Sequence, residues 1–329
     1  MDDPENKNLP TTWIDVVKAV SEGGLPQVIA GPAGKALSRL IAGAADIPAA
    51  WLNSKAQSIK DKTDARTTIM KAVAKASAET AVADPQLLDR ALARYVSDLH
   101  KKQENREAVA RKAFEELSEA PAPAESVGPS DDWMNVFEEY AEKASSEELR
   151  QTWARVLAGE IRRPTSFSLR TLQFLSVLDK VTAEAVEAVL QRSFDGRYGV
   201  WPREVRGELF AQLNIARLAG VIGQIDTDTS HRKMFNSNGI AIFTFGQEVI
   251  VAHGEPGIEF DTQCCLVTII GRELHQVIKP RPLPEALTEL ASRLQDNSHV
   301  RKIERGTLLT LNGMSYVNQP VTIWVRPTP

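Results

Sequence analysis

The chain has 329 residues, 43% of them hydrophobic and 25% charged, with a net charge of −4. That is globular composition with enough length for two or three domains, and it excludes an overall basic field of the kind that draws a protein to nucleic acid. The two cysteines, Cys264 and Cys265, are adjacent; this excludes a disulfide framework and makes a reducing cytoplasm the expected compartment.

Residues 1–12 read as a polar, acidic arm, the wrong start for a secretory signal. "TTWIDVVKAV" then places Trp13, Val16, Val17 and Val20 at helical spacing. Leu25 to Leu52 is long enough to invite a membrane reading, but Lys35, Arg39 and Asp46 lie inside it. Each would cost about 2.5–3.5 kcal/mol at a bilayer centre, and Pro32 and Pro48 interrupt the run. The segment reads as a Gly/Ala-rich helix packed on another helix, with peripheral membrane contact through residues 25–52 as the alternative. "AGPAGKAL" imitates a phosphate loop but has Ile29 and Ala36 where Gly and Ser or Thr belong.

From Asp61 an Ala-rich helix is expected, with Ile69, Val73, Ala76 and Thr80 on one stripe. Asp84-Pro85 restarts the chain as a helix running from Pro85 to about Glu119, some 50 Å at 1.5 Å per residue. Leu88, Leu92, Tyr95 and Leu99 form its stripe. "HKKQENRE" interrupts it, and it resumes at Val109, Ala113 and Leu117. This is a coiled-coil-like seam with a polar middle. It serves either a hairpin with the Ala-rich helix or contact with a second copy or a partner protein.

"EAPAPAESVGPSDD" reads as a linker. It divides a helical region (1–120) and linker (121–131) from a helical core (132–195) and a C-terminal module (196–329). In the core, Trp133, Val136 or Phe137, and Tyr140 share a face. Ser145 and Glu148 read as a capping box, followed by Trp153, Val156, Leu157 and Glu160 at helical spacing. Arg163-Pro164 ends that helix, because the residue before proline disfavours helical geometry. Ser168 is placed as cap of the next helix, with Leu169, Leu172 and Leu175 on its core side, and Thr182 as cap of the one after. Glu160 and Arg170 are expected to pair across the turn.

Beyond Gly196 the texture changes. A helix closing in "LAGVI", a hairpin around Gly246, a strand "CCLV" leading into a helix near Thr268, a Leu-striped helix from Leu283 to Leu294, and two closing strands follow. The fold class is therefore α+β: mainly helical in the N-terminal and central regions, with a small C-terminal α+β module that carries a β-hairpin and has a winged-helix-like option.

Chemistry is sparse. No cofactor is implied, and His100, His231, His253, His275 and His299 are scattered without metal-ligand spacing. Glu255, Glu259 and Asp261 form an acidic group before a strand, the one pattern that suggests a metal-dependent nuclease. Arg272, Lys279, Arg281, Arg293, Arg301, Lys302 and Arg305 suggest a nucleic-acid-binding hairpin module, but acids are interspersed among them, so this reading is not favoured.

Two passages together carry a resemblance. "TWARVLAGEIRRPTSFSLRTL" contains Trp153, Gly159, Glu160, Pro164, Ser168 and Arg170, and the later T-x-x-G-x-E-L contains Gly271 and Glu273. The pair resembles a bacterial family of unknown function that is similar to the abortive-infection alpha proteins of phage defence. The resemblance spans about residues 130–280 and implies a bacterial, intracellular accessory or effector protein of antiviral defence, with these residues as family-motif or interaction positions; taken with the missing catalytic motifs and the long striped helices, it makes a non-enzymatic defence protein the leading expectation.

Overall fold

The computed structural model describes residues 31–42, 85–123, 125–225, 229–311 and 314–327. The helix expected at Trp13 and the Ala-rich stripe from Ile69 to Thr80 lie outside the described residues. Those residues form helices α1 (Pro32–Ala42), α2 (Pro85–Glu119), α3 (Asp131–Ala141), α4 (Glu147–Arg162), α5 (Leu169–Ser176), α6 (Lys180–Leu190), α7 (Gly207–Leu218), α8 (Ile269–Ile278) and α9 (Pro284–Gln295). The strands are β1 (Ser193–Phe194), β2 (Tyr198–Gly199), β3 (Thr229–Met234), β4 (Ile240–Phe245), β5 (Glu248–His253), β6 (Glu259–Leu266), β7 (Lys302–Leu311) and β8 (Met314–Val325). The class is α+β. The chain divides into two compact units, Met1–Leu169 and Arg170–Pro329.

In the first unit, Pro32 does not interrupt a helix but opens one. Gly31 takes φ +87°, and Pro32 occupies the first helical position, where its missing N–H costs nothing. Ala36, Leu37, Leu40 and Ile41 are buried. Arg39, a charge that argued against a membrane span, pairs with Glu138 at 2.7 Å and Asp131 at 3.1 Å on α3. The segment expected as a linker lies inside this unit. Ser126 Oγ donates to the Ile161 carbonyl at 2.5 Å, and Ser130 caps α3. Trp133 and Phe137 stack at 5.0 Å, and Phe137 meets the Trp153 ring edge-on at 5.6 Å.

Two caps differ from expectation. Ser146, not Ser145, caps α4 and accepts from the Leu149 amide, so Glu147 and Glu148 fill the first turn, where the helix dipole favours acids. Asp179, not Thr182, caps α6, and its carboxylate accepts from the Thr182 amide at 2.7 Å. In both cases another oxygen nearby reaches the third amide of the helix. Leu169 is exposed, and Thr171 joins Leu172 and Leu175 in being buried.

The second unit holds two four-stranded antiparallel sheets, ordered β1-β2-β6-β3 and β4-β5-β7-β8. This is more than the single small sheet or wing expected. Its core joins Phe194, Phe235, Phe243, Phe245 and Phe260 to Leu287, Leu290 and Leu294 of α9. The β4–β5 hairpin turns at Gly246, φ +61°, as read from the sequence. Asp195 ties the sheets together. Its amide donates to the Thr244 carbonyl at 2.7 Å, and its carboxylate accepts from the Thr244 amide at 2.8 Å.

Candidate interaction site on the long helix

Helix α2 has 35 residues and two different halves. In the C-terminal half, Val109 and Ala113 are 0% exposed and Leu117 is 7% exposed. This face is held by α4 and α1. The helix is also locked along its length by polar contacts. Gln103 Nε2 donates to the last carbonyls of α1, Leu40 at 3.3 Å and Ile41 at 2.8 Å. Asn105 donates to the Glu142 carbonyl and accepts from Arg150, both at 2.8 Å. The Glu142 carboxylate takes Arg106 at 2.6 Å and Lys102 at 2.8 Å. At the far end, Arg162 donates to the Ala120 carbonyl at 2.6 Å and also to that of Glu116, a cation on the free carbonyls of a helix C-terminus. The polar middle of the seam is thus a set of partners for the turn between α3 and α4.

The N-terminal half leaves that clamp. Leu87 is 57% exposed, Tyr95 57%, Val96 41% and Leu99 49%. Tyr95, Val96 and Leu99 lie three and four positions apart, so they are neighbours on one helix surface. The charges there are local: Arg94 reaches Asp98 at 3.8 Å and His100 reaches Glu104 at 3.0 Å, both one turn on. The arrangement can bury apolar area against a partner helix.

The corner after α4 is held by buried hydrogen bonds and close packing. Arg163 adopts φ −141°, ψ 92°, as its position before Pro164 demands, and Thr165 turns the chain at φ +67°. Glu160 is 2% exposed. Its two carboxylate oxygens accept from the Thr165 amide at 2.6 Å and the Phe167 amide at 3.0 Å. Phe167 then returns over Gly159, where an added Cβ would stand 2.7 Å from the ring, and its carbonyl accepts from Trp133 Nε1 at 2.8 Å. Gly159 therefore makes room for the Phe167 ring. Glu160 thus holds backbone amides of the corner, and Arg170 is exposed on the first turn of α5. Ser168 directly precedes α5. Trp153 is buried between Phe137 and Tyr140.

In the second unit Gly271 is a packing position. A Cβ on Gly271 would stand 2.6 Å from the Val221 carbonyl oxygen and 2.5 Å from Val267 Cγ1, so α8 can sit there only on glycine. Thr268 caps α8 and donates to the Gly220 carbonyl at 2.6 Å. Glu273 is buried on the same helix.

The acidic group does not converge. Glu255 pairs with Arg301 at 3.1 Å, while Asp261 and Glu259 face Arg232 at 3.4 and 4.0 Å, all exposed. Among the described residues no group of three His, Cys, Asp or Glu side chains is placed to hold a metal ion. Four of the C-terminal cations are paired: Arg293 with Glu289, Arg301 with Glu255, Lys302 with Glu304 and Arg305 with Glu248. Burial pushes the Cys264 and Cys265 thiols up to about 12 and about 11, which removes their nucleophilic form at neutral pH.

Sequence reasoning missed a cleft of about 570 Å³ lined by Trp201, Arg203, Arg206, Phe210, Cys265 and Arg293. Its three arginines are already committed: Arg293 to Glu289 and two backbone carbonyls, Arg203 to Asp296, and Arg206 to Glu204.

Residues 89–197 match a family model described as a protein of unknown function, DUF2806. No curated protein and no solved structure matches the chain. The matched stretch contains most of α2, the clamp of α3 and α4, and the corner. Among the described residues no helix is long and apolar enough to cross a membrane.

Proposed function

We propose that this protein is a non-enzymatic interaction protein that self-associates through the N-terminal half of α2. Following the motif resemblance to abortive-infection alpha proteins, the activity it serves is bacterial defence against phage. One observation carries the reading: Tyr95, Val96 and Leu99 form an exposed apolar stripe on a helix whose other half is packed and hydrogen-bonded into the first unit. Several large side chains exposed together on one helix face are the usual mark of a partner surface, and the clamp presents them without further ordering cost.

Light scattering coupled to size exclusion tests this on the full chain at tens of micromolar. The expected mass is that of two or more copies, falling on Tyr95→Glu with Leu99→Glu. A single-copy mass for the wild-type chain would overturn the reading.

A further inference from the structure

The two sheets of the second unit meet at one edge of β4. This strand is the outer member of its sheet and pairs with β5 on one side. Its other side is closed by Asp195 and Lys233. Asp195 takes φ +51°, a left-handed conformation that non-glycine residues seldom adopt. Its amide donates to the Thr244 carbonyl at 2.7 Å, and its Oδ1 accepts from the Thr244 amide at 2.8 Å and the Thr244 hydroxyl at 2.9 Å. Lys233 Nζ on β3 donates to Asp195 Oδ2 at 2.7 Å and also to the Ile242 carbonyl. One carboxylate and one ammonium thus cover backbone groups that a further strand would otherwise take.

His231 lies beside this pair without joining it. Its Nε2 is 3.9 Å from Asp195 Oδ2, beyond hydrogen-bond distance, and is buried with no hydrogen-bond partner among the described residues. Rings hold it in place: Tyr198 of β2 stacks at 4.1 Å, Phe194 of β1 lies at 6.2 Å and Phe243 of β4 at 6.4 Å. From β6, Thr262 stands opposite in register, its hydroxyl also buried without a partner among the described residues. Cys264, two positions along β6, shares that face, and burial pushes its thiol up to about 12, so it carries no charge. The charged groups that act on His231 are Asp195 and Lys233. Arg232, Glu259 and Asp261 lie on the exposed face of the same two strands.

As a neutral ring, His231 leaves Oδ2 to Lys233. As a cation it is a second positive charge on one carboxylate among aromatic rings. Burial and Lys233 both oppose that state, which places the titration below the ordinary histidine value. Once the proton is on, Nε2–H is a charged donor facing Oδ2. A bond of about 2.8 Å needs that oxygen to come about 1 Å closer. A carboxylate moves as one planar group, so Oδ1 leaves Thr244 as Oδ2 leaves Lys233. We propose that His231 is an acid-operated latch, in which its protonation draws Asp195 off Lys233 and Thr244 and releases the edge of β4. The device belongs to the second unit alone and is independent of the α2 surface.

Hydrogen exchange on the full chain tests the latch, read as protection relative to each amide's intrinsic rate. Between pH 7.5 and 5.0 the protection of the Asp195 and Thr244 amides should fall at least about tenfold, while amides of β5 keep theirs. In His231→Gln, which gains no proton, both amides should stay protected at both values. No loss in the wild-type chain, or an equal loss in His231→Gln, would overturn the proposal. A measurement on the wild-type chain alone keeps the test independent of how the variant folds. The loss of protection should follow the His231 ring titration recorded by NMR, and two different midpoints would overturn the latch. Lys233→Met adds a check on sign. With the competing cation gone, the His231 midpoint should rise above that of the wild-type chain, and an equal or lower midpoint would count against competition for Asp195.

Discussion

The two halves of α2 are built from similar residues and meet opposite fates. Val109, Ala113 and Leu117 are buried, while Tyr95, Val96 and Leu99 on the same helix are exposed. Hydrophobic pattern alone does not separate them, because both halves show the three- and four-residue spacing of an amphipathic helix. What separates them is the polar ring around Gln103, Asn105 and Arg106, which bonds to the ends of α1, α3 and α4 and marks where the packed body stops. A buried polar cluster in a helix seam thus marks a border between a surface that folds the protein and one left exposed.

The comparison breaks most easily at the corner, since the corner fixes the clamp. Glu160→Ala leaves the Thr165 and Phe167 amides without their carboxylate acceptor in a buried site. The expected cost is about 3 kcal/mol of first-unit stability, read as a lowered denaturation midpoint with an unchanged slope. Glu160→Gln, which keeps one acceptor, should lose less. Equal stability of Glu160→Ala and the wild-type chain would mean that the corner does not hold the clamp.

Acid should separate the units rather than the halves. His231 and His275 in the second unit have pKa values lowered below the ordinary 6.5, first by burial, with Lys233 adding to the effect at His231 and Asp195 opposing it. The unfolded chain therefore binds more protons below pH 6.5. Stability of the second unit is full above that value and falls as pH drops through it toward the folded-state values. The first unit contains only His100, which is exposed. Thermal melts at pH 7.5 and 5.5 should show the second unit losing more, and His231→Gln should reduce the difference. An unchanged pH dependence in that variant would remove His231 as its source.

Much of this architecture was legible in the sequence, and the residues show why. Asp84-Pro85 and the leucine stripe gave both ends of α2, and Gly246 gave the β4–β5 turn, because start signals and periodicity are local. β3 was invisible because the residues it turns inward are His231 and Lys233. The His231 ring lies 4.1 Å from Tyr198, and Lys233 Nζ sits 4.3 Å above Phe243 and 2.7 Å from Asp195. A strand whose inner face is polar shows no apolar alternation. The division into two sheets depends on β6 pairing with both β2 and β3, a long-range choice that no local pattern encodes. At the candidate site the reverse holds. The stripe could be read, but its exposure could not, because exposure depends on where Asn105 and Arg150 meet.

The smallest effect sharpens the comparison most. Leu99→Ala removes an exposed side chain from a surface that the folded unit does not use, so single-copy stability at low protein concentration should stay within about 0.5 kcal/mol of the wild-type value. On the proposed self-association the same substitution trims the stripe through which copies would meet, so association at high concentration should weaken. A folding contact and an assembly contact make opposite demands on one measurement, since only the second depends on how many copies are present. Denaturation at two protein concentrations distinguishes them. If Leu99→Ala destabilises the chain equally at both, Leu99 is covered within its own chain. If the loss appears only at the higher concentration, the exposed half of α2 is where copies recognise each other.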